Sequence, residues 1–448
     1  MKPFKPNLPA KLLHTLAPWR NAPAWHIAFS GGLDSTVLLH LLANLANLAN
    51  LANTDTLPPL SAVHVHHGLQ AAADAWAAHC QSICDNLGVP LRVMRVQVHP
   101  GASLERAARE ARYQAFIQVT GAGEVLLTGQ HRDDQAETLL FRLLRGAGVR
   151  GLAAMPVQRP LVAGCLVRPL LDVSRAELEA YAEAHQLKWI EDPSNADSRF
   201  SRNYLRHRVL PVLTERWPQA TANLARTAEH LSEAQDLLDE LAQMDLRAAN
   251  QSSPFSWLHL PSLALAPLRE LTDARQRNAL RHWLTPLTRL PDSDHWASWH
   301  SLRDAKGDAQ PLWRLADGDL HRSGERIWWL PSTWSDFSDA SVSWPDPQNP
   351  LELPGNGQVQ LTGRVPGGPL TIRYRQGGEI LAAPGRGRRD LKRLLNESGL
   401  PGFVRGRLPL LYQGEQLLGA PSLVGLWPAP SDEWQLHWMP QTCDQGLS

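Results

Sequence analysis

Short apolar runs alternate with longer amphipathic segments through the first half of the chain. Residues 27–29, 60–65, 91–98 and 125–127 are strand-like, and helical patterns follow them, as at residues 73–87. This alternation predicts parallel strands, because a crossover helix must return the chain to the same edge of the sheet. We therefore expect an α/β fold with a doubly wound parallel sheet, whose ligands collect at the carboxyl ends of the strands.

The second half of the chain has a different pattern. Apolar positions at helical spacing run through residues 217–249, whereas glycine, proline and β-prone runs dominate from about residue 351. Residues 331–350 are rich in proline, serine and aspartate, which favours a linker or long loop. The prediction is three domains: a nucleotide-binding domain at 1–216, a mainly helical domain at 217–335 and a smaller α+β domain at 350–448.

Composition narrows the class of protein only slightly. The 448 residues include 44 Lys and Arg and 44 Asp and Glu, so the formal net charge is zero. For a nucleic-acid binder this neutrality is an objection, unless it conceals local patches. The chain starts without a signal segment and has no long apolar run, which predicts a cytoplasmic protein with no membrane span. Cys80 and Cys84 fall on one face of a predicted helix, and we interpret them as core residues.

The segment Ser-Gly-Gly-Leu-Asp-Ser at residues 30–35 lies between the first strand and a helical pattern. Glycines permit positive φ and close approach of the backbone, and the first amides of a helix attract an anion. The sequence therefore predicts a phosphate-binding loop. Its candidate nucleotide-binding residues are Ser30, Gly31, Gly32, Leu33, Asp34 and Ser35.

Asp34 indicates which anion this loop binds. A carboxylate beside a polyphosphate is repulsive unless a divalent cation lies between them, so we interpret the loop as a site for a nucleotide with Mg²⁺. The alternative is a glycine turn in which Asp34 or Ser35 only caps the helix.

A second polar segment, residues 128–138, follows the strand at 125–127. Asp133 or Asp134 could cap the next helix, but a second acidic cluster at the same sheet edge as Asp34 suits a shared Mg²⁺ site. His131 can donate to developing phosphate charge or move a proton. The choice between Asp133 and Asp134 stays open, with Asp34 and Asp134 as the working metal assignment. The predicted catalytic residues are Asp34, His131, Asp133 and Asp134.

Arginines at helical spacing are the next candidates. Arg109 and Arg112 share one predicted helix face, and Arg202 and Arg206 share another. These arginines either form solvated charged faces or hold a phosphate group.

A basic stretch lies near the end of the chain. Between residues 364 and 407 there are ten basic and three acidic residues, a local net charge of plus seven (ten minus three). Such a stretch is either a solvated basic face or a surface for phosphate contacts with RNA. The candidates within it are Arg386, Arg388, Arg389 and Lys392.

Several of these motifs together resemble the tRNA(Ile)-lysidine synthases, a family of N-type ATP pyrophosphatases. The matching residues are 30–35, 64–69, 105–113, 130–138, 145–148, 168–171, 189–195 and 202–206. Residues 377–379 and 409–411 resemble the last domain of the long form, so the resemblance covers essentially the whole chain. One departure is Gln130, where many members have a second histidine, so the proton-transfer role is assigned to His131 alone.

This resemblance implies a reaction, its cofactors and its partners. It implies that ATP, with Mg²⁺, adenylylates the C2 oxygen of the wobble cytidine of a CAU-anticodon tRNA(Ile). Free L-lysine then displaces AMP to give lysidine, so that codon and aminoacylation identity change from Met to Ile. The two downstream domains are implied to contact tRNA.

Two other functions are compatible with parts of the pattern. A 2-thiocytidine synthetase of the same superfamily is disfavoured because sulfur transfer typically uses a Cys-x-x-Cys, which this sequence lacks. A non-catalytic tRNA-binding module is disfavoured because both acidic segments are retained. The sequence predicts neither the oligomeric state nor the residues that recognise lysine.

Overall fold

The computed structural model describes residues 8–52, 57–68, 73–98, 104–255, 257–290, 293–306, 309, 311–383, 387–421 and 434–440. These described residues divide into two compact units, one up to Asp236 and one from Leu237 onward. No helix among them is both long and apolar enough to cross a membrane.

A mostly parallel sheet organises the first unit. Its strands, within the described residues, are β1 (Trp25–Ala28), β2 (Leu60–His66), β3 (Leu91–Arg95), β4 (Val125–Leu127), β5 (Gln158–Leu161) and β6 (Gly164–Val167). The spatial order is β3-β2-β1-β4-β6-β5, and every neighbouring pair is parallel except the β5–β6 hairpin at one edge. The predicted doubly wound parallel sheet is therefore confirmed, with an antiparallel edge strand that was not predicted.

Helices connect and cover these strands. The described helices of this part of the chain are α1 (Leu8–Leu16), α2 (Leu33–Ala52), α3 (Ala73–Leu87), α4 (Leu104–Val119), α5 (Arg132–Leu143), α6 (Val149–Leu152), α7 (Arg175–Ala184), α8 (Ser201–Tyr204) and α9 (Leu210–Arg216). A π-helical turn, Leu205–Val209, joins α8 to α9. The long helix α10 (Ala220–Ala249) contains the residue at which the two units divide.

Both faces of the sheet are buried. Leu127 packs in a cluster with Leu38 of α2, whereas its neighbour Leu126 packs in a second cluster with Phe116 of α4. Successive residues of a strand point to opposite faces, so helices cover both sides, as a doubly wound sheet requires. Cys80 and Cys84 are fully buried in the first cluster, and burial raises the pKa of Cys80 to about 12 and that of Cys84 to about 11. Their prediction as core residues is confirmed.

The second unit combines short helices with antiparallel sheets. Its described helices after α10 are α11 (Leu265–Arg269), α12 (Asp273–Leu284), α13 (Ala297–Asp304), α14 (Leu391–Glu397) and α15 (Gly402–Arg405). One sheet has the order β7-β10-β9-β8, formed by β7 (Ser262–Ala264), β8 (Leu312–Arg314), β9 (Gly318–Ser323) and β10 (Arg326–Pro331).

The rest of this unit is the β-rich region predicted from about residue 351. Within the described residues its sheets have the orders β11-β14-β17-β18, β12-β13-β19 and β15-β16. The strands are β11 (Val342–Trp344), β12 (Leu351–Glu352), β13 (Gln358–Gly363), β14 (Leu370–Arg373), β15 (Ile380–Ala383), β16 (Gly387–Asp390), β17 (Leu410–Gln413), β18 (Gln416–Gly419) and β19 (Trp434–Met439).

The prediction of a linker or long loop at residues 331–350 holds only in part, since much of the segment is irregular but it is not a free linker. Strand β11 lies in this segment and pairs with β14, and Trp344 is buried in the hydrophobic core. The indole N–H of Trp344 donates to the carbonyl of Asn349, which fixes the following turn. Proline, serine and aspartate around a three-residue strand concealed it, because its pairing partner is distant in the sequence. The domain boundaries themselves stay predictions.

Candidate active site

The loop between β1 and α2 has the geometry of a phosphate-binding turn. Gly31 has a φ of +84°, which favours glycine. A Cβ at this position would lie 2.9 Å from both the Cys80 sulfur and Cδ1 of Ile190, so a side chain would also collide. The N–H of Ile190 donates to the Gly31 carbonyl at 2.8 Å. Ile190 was not singled out from the sequence, although it lies in one of the matching segments.

Hydroxyl groups brace the same loop internally. Ser35 is buried, and its hydroxyl donates to the Gly32 carbonyl at 3.0 Å while accepting the N–H of Ser30 at 3.3 Å. Leu33 is buried in the core, so it can offer a ligand only its backbone. Ser30 is exposed, and its hydroxyl accepts the N–H of Gly32 at 3.3 Å and lies 3.0 Å from the Ser35 hydroxyl.

The segment after β4 starts a helix earlier than the sequence indicated. His131 is the N-cap of α5, and its Nδ1 accepts the N–H of Asp133 at 3.2 Å. The carboxylate of Asp134 accepts the backbone N–H of His131 at 3.1 Å, which completes a reciprocal capping box. The cap is therefore His131 rather than an aspartate, and Asp133 and Asp134 lie in the first turn of the helix.

The segments that follow β1 and β4 come into contact at Gly129. A Cβ on Gly129 would lie 3.0 Å from the carbonyl carbon of Asp34, so the backbone after β4 packs directly on the first turn of α2. As a result, Nε2 of the fully buried His131 lies 3.6 Å from Oδ1 of Asp34 and 3.5 Å from Oδ2 of Asp134. Among the described residues, Asp34 Oδ1 and His131 Nε2 have no hydrogen-bond partner. The structure thus brings together Asp34, His131 and Asp134.

Asp133 has a different set of contacts. Its Oδ2 accepts the N–H of Arg175 at 2.9 Å, which ties α5 to the first turn of α7. The Arg175 guanidinium then lies 3.8 Å from Oδ1 of Asp34. Arg175 was missed from the sequence, because the capping box of Ser174 and Glu177 indicates only the start of a helix.

The π-helical turn places Arg206 at the same cluster. Arg206 donates to Asp134 at 2.9 Å and, through Nε and Nη2, to both carboxylate oxygens of Glu137. Arg202, one turn earlier, donates to the hydroxyl of Thr138 at 3.1 Å. Arg206 is therefore not a solvent-facing cation. Glu137 was missed as a candidate, although it lies one helical turn after Asp134 and so on the same face.

Burial and charge oppose each other in this cluster. Burial raises the pKa of Asp34, His131 lowers it in part, and the negative charge of Asp134 raises it further. For His131, burial acts to lower the pKa, but the surrounding carboxylates outweigh it and raise the pKa. Burial also raises the pKa of Glu137, against the opposing effect of Arg206. Carboxyl groups that lie beside one another are costly to ionise. A bound cation would stabilise their ionised forms.

A metal at this cluster would need ligands from outside the chain. Throughout the part of the chain that the structure describes, no group of three or more His, Cys, Asp or Glu side chains is arranged to hold a metal ion. Two carboxylates combined with nucleotide phosphates and water match the way in which Mg²⁺ is commonly bound.

The arginines of α4 have other contacts. Nε of Arg112 lies 3.4 Å from Nε2 of His67, just past β2, and Nη2 of Arg109 lies 3.4 Å from the Tyr113 hydroxyl. Burial, with a further contribution from Arg112, lowers the pKa of His67 to about 4. The imidazole is therefore neutral beside the guanidinium at physiological pH.

The basic stretch near the end of the chain is partly neutralised within the fold. Arg373 pairs with Glu415 and Arg393 with Glu397, while Arg407 is buried against Trp334. The exposed candidates are Arg388 and Arg389 on β16 and Lys392 on α14. Arg386 lies outside the described residues.

Three family models match successive parts of the chain. A PP-loop domain matches residues 5–213, a TilS substrate binding domain matches residues 263–328 and a TilS substrate C-terminal domain matches residues 370–438. The first match contains the loop at 30–35 and the cluster at 131–137, so the described geometry lies within the PP-loop region.

Curated relatives match along nearly the whole length. The chain is 64% identical to the tRNA(Ile)-lysidine synthase of Pseudomonas fluorescens, over 98% of each chain. It is 62% identical to that of Pseudomonas aeruginosa, over 98% of this chain and 99% of the relative. It is 41% identical to that of Shigella flexneri, over 88% and 90%. With a PP-loop site in place and identities of this size from end to end, the chain belongs to the tRNA(Ile)-lysidine synthase family.

Proposed function

We propose that this protein ligates free L-lysine to C2 of the wobble cytidine of a tRNA(Ile) with a CAU anticodon, at the expense of ATP. Membership of the family supports the reaction class. Within the site, the observation that supports the proposal most directly is that Asp34, His131 and Asp134 meet where β1 and β4 end. A braced glycine loop and a buried His–Asp cluster at one sheet edge suit cleavage of ATP between its α- and β-phosphates.

The first step transfers the adenylyl group to the base. The C2 oxygen of cytosine attacks the α-phosphorus, a new O–P bond forms, and the bond to the β-phosphate breaks to release diphosphate. The loop amides and the Ser30 hydroxyl bind the departing phosphates. Because Nδ1 of His131 accepts the Asp133 N–H, Nε2 carries the ring proton and donates to an α-phosphate oxygen as charge develops there.

The second step forms the new carbon–nitrogen bond. The ε-amine of lysine, in its neutral form, attacks C2 and gives up one N–H proton to solvent, and the C2–O bond breaks so that AMP leaves with the former C2 oxygen. The base is accessible because the wobble cytidine lies in a single-stranded anticodon loop. Arg206 and Arg175 hold the carboxylates of the cluster in place during both steps.

The residues fit a Mg²⁺ ion held by Asp34 and Asp134. Oδ1 of Asp34 is buried and has no hydrogen-bond partner within the described part of the chain, and Asp134 approaches the same histidine nitrogen. Asp133 is less suitable because its carboxylate accepts the Arg175 N–H. When bound, the ion would neutralise the polyphosphate and polarise the α-phosphoryl group.

Incorporation of labelled lysine tests this function. The purified protein is incubated with ATP, Mg²⁺, labelled lysine and unmodified tRNA(Ile) carrying CAU, and the matched control is the same tRNA with uridine at the wobble position. We expect label only in the CAU tRNA, with AMP and diphosphate released in equal amounts. Cleavage of ATP to AMP without lysine incorporation would contradict the proposed substrate, and no cleavage by folded protein would contradict catalysis altogether.

A further inference from the structure

A cleft of about 440 Å³ lies between α4 and strand β5 and is lined by none of the residues assigned to the reaction. It is lined by Arg106, Arg109, Glu110, Tyr113, Gln114 and Arg159. Arg159 belongs to the edge strand β5, and the other lining residues belong to α4. The cleft is therefore built jointly by a helix and by the antiparallel strand that the sequence did not predict.

Two guanidinium groups stack on one aromatic ring in this cleft. Cζ of Arg159 lies 4.2 Å from the centroid of the Tyr113 ring, and Cζ of Arg109 lies 5.0 Å from it. The phenol hydroxyl is also 3.4 Å from Nη2 of Arg109. Stacking on an aromatic face holds a guanidinium in place while leaving its N–H groups for a ligand.

The cations of the cleft outnumber its anions. Of the lining residues three are arginines and one, Glu110, is acidic, and Glu110 accepts from Nε of Arg106 at 2.7 Å. Nε of Arg159 is buried and has no hydrogen-bond partner among the described residues. An unsatisfied buried donor on a cation is costly, and an anionic acceptor would remove that cost.

The neighbouring Arg168 adds to this positive field. Its Nη1 donates to the carbonyl of Pro156 at 2.8 Å, so it is fixed beside the cleft without a carboxylate in that contact. Burial lowers the pKa of Arg168, Tyr113 opposes this in part, and the charges of Arg159 and Arg109 lower the pKa further. Arginines packed closely enough to disfavour one another's charge indicate a site for an anion.

The cleft lies at the edge of the sheet that carries the ATP loop. Helix α4 follows β3, so its first turns, with Arg106 and Arg109, begin at the carboxyl end of the strands. Gln158, next to Arg159, pairs with Val167 at the carboxyl end of β6. An anion bound here would lie between α4 and the edge of the sheet whose strands β1 and β4 lead into the loops of Asp34 and His131.

We propose that this cleft binds a backbone phosphodiester of the RNA substrate and anchors the tRNA beside the catalytic edge. The inference rests on the proposed function only in that the substrate is an RNA. A cleft of this volume is larger than a phosphate ion needs, and the exposed Gln114 offers hydrogen bonding to the adjoining nucleoside. The glycine loop at residues 30–35 already supplies the site for the phosphates of ATP.

Binding of tRNA across a range of salt concentrations tests the cleft without requiring catalysis. Arg159→Met keeps the length of the side chain and removes its charge, and Arg92→Met, an exposed arginine on β3 at the opposite edge of the sheet, is the matched control. We expect Arg159→Met to weaken tRNA binding about tenfold and to reduce the slope of log Kd against log salt by about one. The control should change neither quantity by more than about twofold, and ATP affinity should be unaltered in both.

A second measurement uses the unmodified chain, in case Arg159→Met folds poorly. Phenylglyoxal labels accessible arginines, and peptide mass spectrometry reports the label on Arg159 and Arg109 with tRNA, with inorganic phosphate or with neither. Protection by tRNA at concentrations where phosphate gives none supports the proposal. Protection by phosphate alone, or unchanged tRNA binding in a folded Arg159→Met protein, would overturn it. Lysine incorporation is scored separately, so failure of the cleft and failure of the ligase reaction are distinguishable.

Discussion

The chemistry of individual carboxylates decides what the site can bind. Asp133 and Asp134 are adjacent in sequence and both lie beside His131. Asp133 accepts the Arg175 N–H and faces Nδ1 of the ring, whereas Asp134 pairs with Arg206 and faces Nε2. Only the second is positioned with Asp34 around one buried nitrogen. A metal role is therefore expected for Asp134 and a positioning role for Asp133.

Separate substitutions of Asp133 and Asp134 distinguish the two roles. Asp134→Asn should raise the Mg²⁺ concentration needed for half-maximal lysine incorporation at least about tenfold, because it removes one anionic ligand. Asp133→Ala should leave that concentration within about twofold and should cost about 1–2 kcal/mol of stability, because the Arg175 N–H loses its acceptor. Mg²⁺ titration and urea denaturation measure the two effects. The reverse assignment would follow if Asp133→Ala shifted the Mg²⁺ dependence and Asp134→Asn did not.

At the scale of elements, two short irregular segments hold the site in place. The glycine loop connects β1 to α2, and the π-helical turn after α8 carries Arg206 to α5. Each depends on an uncommon local backbone geometry.

The loop can be tested by a pair of alanine substitutions. Gly31→Ala should lower the free energy of unfolding by about 1–3 kcal/mol, because alanine is strained at a φ of +84° and its Cβ meets Ile190 at 2.9 Å. Gly32→Ala is the control, since its Cβ would lie 3.5 Å from the nearest atom, an ordinary contact. Urea unfolding without nucleotide measures both. Equal losses for the two variants would contradict the described loop.

The ion pair of Arg206 and Glu137 gives a dependence on pH. Burial raises the pKa of Glu137 above 4.5, and Arg206 limits this rise. When the pKa of a carboxyl group is higher in the folded state than in the unfolded state, the protein becomes less stable as the pH rises from the unfolded-state pKa through the folded-state pKa. We therefore expect Arg206→Met to lower the free energy of unfolding by about 2 kcal/mol more at pH 8 than at pH 5, each compared with the unsubstituted protein at the same pH.

The double variant Arg206→Met with Glu137→Gln is the control for this prediction. It removes the charge of Glu137, the more buried of the two carboxylates that pair with Arg206, so most of the extra loss at pH 8 should disappear. Urea midpoints at the two pH values are the measurement. If the double variant kept the same pH dependence as Arg206→Met, another group would be responsible.

At this scale, the features that could be predicted from the sequence are those specified by residues close to one another along the chain. Strands that alternate with helices, and residues such as Asp34 and His131 at strand ends, are specified by neighbouring residues and were found. The β5–β6 hairpin, strand β11 and the contacts of Arg175 depend on partners distant along the chain. Helical spacing could not tell a solvated Arg206 from one bound to Asp134 and Glu137, because periodicity gives the face of a helix and not what packs on it.

For the whole molecule, the distribution of charge matters more than its sum. The formal net charge is zero, but Arg388 and Arg389 are exposed on β16, while Arg373 and Arg393 nearby in the sequence are paired with glutamates. A polyanion is attracted by local unpaired cations, whatever the total. We therefore propose that the exposed Arg388 and Arg389, rather than the paired arginines, contact tRNA.

Paired substitutions test this assignment. Arg388→Ala with Arg389→Ala should weaken tRNA binding about tenfold and reduce the salt slope by about two, as expected for two lost phosphate contacts. Arg373→Ala with Arg393→Ala removes the same formal charge but should weaken binding less than about threefold, because each arginine already has a carboxylate partner. Filter binding at several salt concentrations compares them. Equal effects would contradict a role for specific exposed arginines.

The path of a single oxygen atom tests the reaction most directly. A tRNA(Ile) is assembled with oxygen-18 on C2 of the wobble cytidine and is converted with ATP and lysine, and the released AMP and diphosphate are analysed by mass spectrometry. Attack of the C2 oxygen on the α-phosphorus predicts one oxygen-18 in the phosphate of AMP and none in diphosphate. Unlabelled AMP together with lysine attached to the tRNA would contradict an adenylylated cytidine, and with it the chemistry assigned to Asp34, His131 and Asp134.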